Sequence, residues 1–301
     1  MKKTVLITGC SCSTGVHFIQ QLVLNNQYSL RCFARKTSNI KLLKDYPIQW
    51  FIGDLKEADD HQLNNAIQGI DIVVHIGGIR TALNVIRLMV KYSINKGIFV
   101  NTTGIYSKFR SASEEYQQIE TNMLRIFQEN KIQFVILRPT MIYGDGIDKN
   151  VANLVRFIKR CSLIPLFGDG SALIQPIYYK DVSMALVSVM ENETCLNKSY
   201  NIAGKYPMTY REFIYIIAQK LGKKVFFVRL PISLTTFIVS RMEKLFKHFP
   251  ITSEQILRTT ENRAFDYSEA KKDFGFNPVS FEDGIHYEIE ALQNAMLQHH
   301  D

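Results

Sequence analysis

The sequence predicts an α/β protein built on a doubly wound parallel sheet, with a smaller mixed C-terminal part, and three observations carry that reading. Short apolar, β-branched runs alternate with amphipathic stretches from the N-terminus as far as Arg138. The links between them are short and several of them end on glycine. Past Pro139 the alternation stops, and helical patterns dominate the remainder of the chain.

The first strand is Val5-Leu6-Ile7, apolar throughout and closely followed by Gly9. From Val16 the apolar positions Val16, Ile19, Leu22 and Val23 recur at helical spacing, with Gln20, Gln21 and Asn25 between them. The turn joining the two reads Gly9-x-x-Cys12-x-x-Gly15. In such a unit the helix N-terminus offers free N–H groups and a partial positive charge to a phosphate. Ser11, Ser13 and Thr14 add hydroxyl donors, and Ser13 or Thr14 suits the N-cap. Gly9, Ser11, Cys12, Ser13, Thr14 and Gly15 are therefore candidate contacts for a dinucleotide in a Rossmann-type arrangement. Cys12 stands where the middle glycine of the fingerprint allows close approach of the pyrophosphate, so a plain ligand-free turn is the competing reading.

Residues 29–34 form the second strand, which runs into Arg35-Lys36. An acidic residue there would hold the ribose 2′-OH of NAD, whereas arginine accommodates the 2′-phosphate of NADP. With Arg35 and Lys36 present and no acid in reach, NADP is the expected cofactor in preference to NAD; a solvated basic loop is the alternative. Residues 48–54 are a third strand ending in a Gly-Asp turn, and residues 59–70 a helix. Residues 69–78 carry a fourth strand ending on Gly77-Gly78, which leave room for a ligand; His75 within it reads as a packed core residue. A helix over 84–93, a fifth strand over 97–103, a helix over 115–129 and a sixth strand over 134–138 complete the alternation.

Beyond it, a helix spans 151–161, Gly168-Asp-Gly170 reads as a hairpin-like turn, and 174–181 is extended before a helix at 182–190. A strand and turn follow at 199–204, a helix at 210–221, a strand at 225–228 and then mostly helix. The expected organisation is a dinucleotide-binding core over 1–145, with 170–203 contributing back to it, and a substrate or lid part over most of 146–301.

The 301 residues are 46% hydrophobic and 21% charged, which suits a globular chain with an ample core. A net charge of +8 favours anionic partners such as nucleotides, acidic substrates or a phospholipid surface. No dense Lys/Arg run supports nucleic-acid binding. Five cysteines without a disulfide framework point to a reducing compartment, and no His or second Cys pair completes a metal site around Cys10 and Cys12. The apolar run after Met1-Lys-Lys ends at Gly9, too short for a signal peptide, and no run is long enough to span a bilayer. A cytoplasmic location is expected. The stretch 231–249 combines large apolar residues with Arg241, Lys244 and Lys247; a buried lid helix is the favoured reading and peripheral membrane contact the alternative.

Seven stretches taken together bear a family likeness: Thr8-Gly9…Gly15, Gly53-Asp54-Leu55, His75-Ile-Gly-Gly78, Asn101-Thr-Thr-Gly-Ile-Tyr106, Leu137-Arg-Pro-Thr-Met-Ile-Tyr-Gly144, Gln175-Pro-Ile-Tyr-Tyr-Lys-Asp181 and Phe274-Gly-Phe-Asn-Pro278. In order and spacing the chain resembles the short-chain dehydrogenase/reductase superfamily, in its extended or atypical NAD(P)-dependent epimerase/dehydratase branch. The resemblance implies an oxidoreductase, epimerase or dehydratase acting on a nucleotide-sugar or similar carbonyl/alcohol substrate, with a homodimer possible. It adds Asp54, Leu55, Gly77 and Gly78 to the cofactor contacts and Thr103 to the substrate contacts. Pro139 and Thr140, after a strand C-terminus, are expected to border the nicotinamide, and Tyr143, Gln175 and Tyr178 are substrate-pocket candidates for which core packing is the equal alternative.

Members of this family use a Ser/Thr, a Tyr and a Lys four residues after the Tyr. The phenol moves a proton while hydride is exchanged, and the ammonium makes the phenol acidic enough to do so. Four residues before Tyr106, Thr102 matches the Ser/Thr, and Tyr116 is the candidate phenol. The lysine is absent: Glu120 occupies its position, on the same helical face as Tyr116. Glu120 also matches a glutamate that family members carry four residues after the lysine, which would set Tyr116 at the lysine position and Ala112 at the tyrosine. Three readings stay open: a cation from the 103–113 loop (Lys108 or Arg110) assists, Tyr116 or Tyr106 acts as a neutral proton donor, or the chain is a non-catalytic NAD(P)-binding sensor or scaffold.

Overall fold

A computed structural model of the chain describes residues 2–57, 61–109, 111–245 and 252–297, with side chains to 294. The expected helix start at Asp59, and Arg110, Lys247 and Phe249, lie outside the described residues.

Six strands and four helices alternate first: β1 (Lys3–Thr8), α1 (Ser13–Asn25), β2 (Tyr28–Ala34), β3 (Ile48–Ile52), α2 (His61–Ile67), β4 (Ile72–His75), α3 (Ile79–Lys91), β5 (Lys96–Val100), α4 (Ser113–Glu129) and β6 (Gln133–Pro139). The rest comprises β7 (Ile142–Tyr143), α5 (Val151–Arg160), β8 (Leu163–Phe167), β9 (Leu173–Ile174), β10 (Ile177–Tyr178), α6 (Tyr179–Met190), β11 (Lys198–Ile202), β12 (Met208–Thr209), α7 (Tyr210–Lys220), β13 (Phe226–Leu230), α8 (Ile232–Leu245), α9 (Ser253–Arg258), α10 (Ser268–Phe274) and α11 (Phe281–Leu297).

Seven parallel strands form one sheet in the order β3-β2-β1-β4-β5-β6-β11. The strand order reverses between β1 and β4, where a doubly wound sheet opens its ligand crevice. Alternation along β1 fixes the two layers. Val5 and Ile7 join the core beneath α1 and α6, with Phe18, Leu22, Leu186 and Val189. Leu6 joins the opposite core with Ile67, Val85, Met123 and Phe127. Each such fully buried side chain stabilises the fold by about 1.5–3 kcal/mol. The chain returns to this sheet after leaving it: α6 packs on α1, and β11 adds an edge strand beside β6.

A third core gathers α5, α7 and α11 around Val155, Ile214, Phe281 and Ile285. Here three two-stranded ladders replace the single sheet: β7 with β10, β9 with β12, and β8 with β13. The Gly168-Asp-Gly170 segment is not a hairpin. Strand β8 before it pairs in parallel with β13, and β9 after it pairs antiparallel with β12. Strand β8 escapes a periodicity reading because Pro165 interrupts its apolar run; a two-stranded ladder tolerates that proline at its edge. Helices α3 and α6 begin earlier than expected, at Ile79 and Tyr179, directly on the turns that precede them.

Candidate functional site

The turn after β1 is built by close backbone packing. Gly9 has φ +74°, and a Cβ there would fall 2.6 Å from the Gly77 nitrogen. A Cβ on Gly15 would fall 2.5 Å from the Gly9 carbonyl oxygen, so α1 can start this close to the strand only through glycine. The N-cap is Cys12, not Ser13 or Thr14. Cys12 is extended (φ −78°, ψ 157°) and its Sγ accepts the Gly15 N–H at 3.4 Å. The two hydroxyl residues lie inside the first turn instead: Ser13 donates to Asp145 at 2.8 Å, and Thr14 is buried with its carbonyl accepting from Ser183 at 2.8 Å.

His75 ties the facing turn to this one. It is fully buried, and burial pushes its pKa down to about 4, so the ring is neutral. Its Nε2 lies 2.9 Å from the Gly78 carbonyl, and its Nδ1 lies 2.7 Å from the Thr8 hydroxyl. A neutral ring donating to Gly78 accepts from Thr8, which holds the Gly77-Gly78 turn against the end of β1.

Three cavities follow one another along the C-terminal ends of the strands. The first, about 270 Å³, lies over β1 to β4 and is lined by Gly9, Ser11, Arg35, Asp54, Leu55 and Gly77 among others. Lys36 is exposed and does not line it, whereas Lys56 does. The second, about 280 Å³, shares Cys12 and Ile76 with the first and adds Ser13, Thr14, Gly78 and Tyr143. The third, about 440 Å³, shares Asn101, Pro139 and Ile142 with the second and is bordered by Thr102, Thr103, Tyr106, Gln175, Arg258 and Arg263. Gly15 lies buried beneath this surface.

The structure does not bring Thr102, Tyr116 and Glu120 together in the cleft. Thr102 lines the third cavity, where its Oγ1 accepts the Gly104 N–H at 3.0 Å. Tyr116 is buried behind it against Ile79 and Ile105, with the Arg80 guanidinium 5.0 Å from its ring centre. Arg80 in turn pairs with Glu115 at 2.7 Å. Glu120 is buried too and faces β6: Arg138 donates to it at 2.5 and 2.9 Å, and Asn101 Nδ2 at 2.6 Å. The phenol on the third cavity is Tyr106, whose hydroxyl donates to Asn201 at 3.3 Å and whose ring lies 5.5 Å from Phe265. Among the described residues, Lys56 at the far end is the lysine that lines this cleft; Lys108 does not, its backbone N–H donating to Glu261 at 2.6 Å.

Of the substrate candidates, Thr103 donates to the Pro139 carbonyl at 3.1 Å, and Thr140 donates to the Gln175 carbonyl at 2.5 Å. Gln175 is buried with both ends engaged, donating to the Gly204 carbonyl at 2.7 Å and accepting the Phe265 N–H at 2.9 Å. Tyr143 lines the second cavity with its ring edge-on to Phe281, and burial pushes its phenol up. Tyr178 stands outside all three cavities, stacked on Tyr287 at 5.2 Å.

Sequence reading missed Arg258, Arg263 and a carboxylate group at the second cavity. Arg263 is partly buried with its Nε lacking a hydrogen-bond partner; burial first, then Arg258, lowers its pKa. Asp145, Asp148 and Glu288 bring carboxylate oxygens within 4.8 Å of one another. Asp148 caps α5 by accepting from Val151 and Ala152, and Asp145 accepts from Ile147, Asp148 and Ser13. Glu288 is fully buried, accepts the Gly144 N–H, and leaves Oε1 without a partner. Burial first, then Asp148, pushes Glu288 up to about 7.

Residues 9–156 match the family described as NAD(P)H-binding, and residues 95–232 match the 3-beta hydroxysteroid dehydrogenase/isomerase family. A UDP-glucose 4-epimerase of Vibrio cholerae is 19% identical over 332 residues, covering 98% of this chain and 97% of that protein. Among solved structures, a UDP-glucose 4-epimerase from Thermotoga maritima with UDP-glucose superposes with a TM-score of 0.75 at 18% identity, over 97% of this chain and 99% of that one. A UDP-glucuronic acid 4-epimerase from Bacillus cereus, in complex with UDP-glucuronic acid and NAD, gives 0.76 at 19% identity with the same coverage.

Proposed function

We propose that this chain, an NAD(P)-binding Rossmann-fold protein related to the short-chain dehydrogenase/reductase superfamily and its extended epimerase/dehydratase branch, exchanges hydride with a carbonyl or carbinol carbon of a nucleotide-sugar-like substrate. One observation carries the reading: the three cavities run on from one another, the first joining the second at Cys12 and Ile76 and the second joining the third at Asn101 and Pro139, at the ends of β5 and β6. A dinucleotide laid along the first two would place adenosine beside Arg35 and Asp54 and its pyrophosphate on the α1 N-terminus. Gly9 and Gly15 fit that assignment, since a side chain at either position would collide with neighbouring backbone and push the facing turn or α1 away from the end of β1. The nicotinamide end then opens onto the third cavity.

A nicotinamide cofactor bound there would supply or receive the hydride. The protein's part is to hold the reacting oxygen and move its proton. Thr102, whose Oγ1 accepts the Gly104 N–H and keeps its own proton to donate, offers a hydroxyl to that oxygen, and Tyr106 offers the proton-carrying phenol in place of Tyr116. Arg258 and Arg263 suit the anionic part of a nucleotide sugar, as the UDP-sugars held by the solved relatives suggest. Arg35 suits the 2′-phosphate of NADP.

Fluorescence titration with NADPH and NADH tests the binding half; no binding at high micromolar cofactor would overturn it. With UDP-sugars as substrates, Tyr106→Phe is expected to lose about a hundredfold in turnover while keeping cofactor affinity. Tyr116→Phe is expected to retain turnover, and the reverse pattern would restore Tyr116 as the proton carrier.

A second reading, a non-catalytic NAD(P)-binding sensor or scaffold, is favoured by the Glu120–Arg138 pair. It fills the helix face on which a Tyr-x-x-x-Lys lysine would lie. Tight cofactor binding without hydride exchange on any UDP-sugar would decide for it.

A further inference from the structure

Helix α8 turns its apolar side outward. Leu234, Phe237, Ile238 and Leu245 are 54%, 59%, 50% and 74% exposed, and their spacing places them along one helical face. Arg241 and Lys244 share the exposed side, the Arg241 guanidinium lying 5.3 Å from the centre of the Phe237 ring. The one acidic residue of the helix points away: Glu243 accepts from Ser253 Oγ at 2.8 Å, on the α9 side. Val239 is the buried position. A soluble helix ordinarily does the reverse, burying its large apolar residues and exposing mixed charge.

The strand that leads into this helix continues the pattern. Phe226 is 65% exposed and its register partner Leu163 is 61% exposed, so the two stand side by side on the β8–β13 ladder. Lys159, Arg160 and Lys224 are exposed in the segments flanking them, and Lys223 bonds the Lys159 carbonyl. Exposed apolar groups are thus accompanied by cations at both ends of the β13–α8 segment.

We propose that this face lies on an anionic phospholipid surface. The match is one of chemistry: half-exposed aliphatic and aromatic chains enter the acyl boundary while Arg and Lys stay at the phosphates. Helix α8 has 14 residues and rises about 21 Å, less than the roughly 30 Å of a bilayer core, and no described helix is long and apolar enough to cross a membrane. The helix lies in the interface and does not span it. Helix α9 packs on α8 and ends in Arg258, which borders the third cavity, so docking on this face sets that cavity one helix away from the lipid surface.

The test is flotation of the full-length protein with vesicles of phosphatidylglycerol and phosphatidylcholine at low salt. Binding is expected to the mixed vesicles and not to phosphatidylcholine alone, and to fall steeply at high salt. Phe237→Asp with Ile238→Asp is expected to reduce the bound fraction about tenfold or more, as is Arg241→Glu with Lys244→Glu. Phe237→Trp gives a second readout independent of these variants: its emission is expected to shift to shorter wavelength on mixed vesicles. No flotation at low salt, undiminished flotation of the Asp variant, or an unshifted Trp spectrum would overturn the proposal. So would a stable dimer broken by Phe237→Asp in a protein that ignores vesicles, which would assign the face to a second copy of the chain.

Discussion

Arg138 clamps Glu120 from across the helix–sheet interface, its Nη2 and Nε both donating to Oε1, at 2.5 and 2.9 Å. Asn101 closes the other side of the carboxylate at 2.6 Å, and the two charged side chains are only 12% and 6% exposed. The pair ties β6 to α4 directly behind the cleft. Removing one partner of such a pair leaves a buried charge unpaired, which costs about 3–5 kcal/mol. Glu120→Ala is expected to lose that much stability by urea unfolding. Glu120→Lys, which would write a lysine four residues after Tyr116, sets two cations against each other and is expected to unfold the protein rather than activate it. Replacing both residues with apolar ones is expected to recover most of the loss.

Cys12 caps α1 through a long sulfur contact, at the position where the fingerprint has glycine. Glycine is nearly as good an N-cap as a polar residue, so Cys12→Gly is expected to cost only a few tenths of a kcal/mol. It also removes the side chain that borders both the first and the second cavity. A severalfold gain in NADPH affinity by fluorescence titration is the expected outcome. Unchanged affinity would mean that the pyrophosphate passes clear of the sulfur.

The alternating half of the fold was legible because its strands are short, apolar and bounded by turn residues, as at Val5-Leu6-Ile7 before Gly9. Strand β8 was not, since Pro165 breaks the run and only its partner β13 makes it a strand. At the site, local motifs placed Arg35, Asp54, Gly77 and Thr102 on the cleft, because each sits at a strand end. Spacing alone offered two alignments of Glu120, and its contact with Arg138 joins two separate elements, so no local pattern shows it. The same holds for Arg263 and for the meeting of Asp145 with Glu288: no local pattern announces them, since folding alone brings those segments together.

Arg35 borders the first cavity while Lys36 does not, so the two adjacent cations are not equivalent. A guanidinium beside the adenosine ribose favours the 2′-phosphate. Arg35→Ala is expected to weaken NADPH about tenfold and to leave NADH within twofold, whereas Lys36→Ala changes neither by more than about twofold. Equal losses for both cofactors on Arg35→Ala would remove the case for NADP selectivity.

Glu288 makes stability depend on pH in a definite direction. Its carboxyl, fully buried beside Asp148 and Asp145, is pushed up to about 7, so the folded state holds its proton more tightly than the unfolded chain does. That contribution is complete below the ordinary carboxylate range, near 4.3, and is lost as pH rises through about 7; its size is on the order of 3 kcal/mol. Asp181, pushed up to about 6 by burial, acts in the same direction. His75, pushed down to about 4 by burial, acts in the opposite one between about 4 and 6.5, so the clean window lies above that range. Glutamine in place of Glu288 keeps an oxygen for the Gly144 N–H and offers an amide to the neighbouring carboxylates. Glu288→Gln is therefore expected to unfold at a higher temperature than the wild type at pH 8, with the gap narrowing toward pH 6. A gap that stays constant with pH, measured by thermal unfolding of both proteins, would show that Glu288 is ionised throughout.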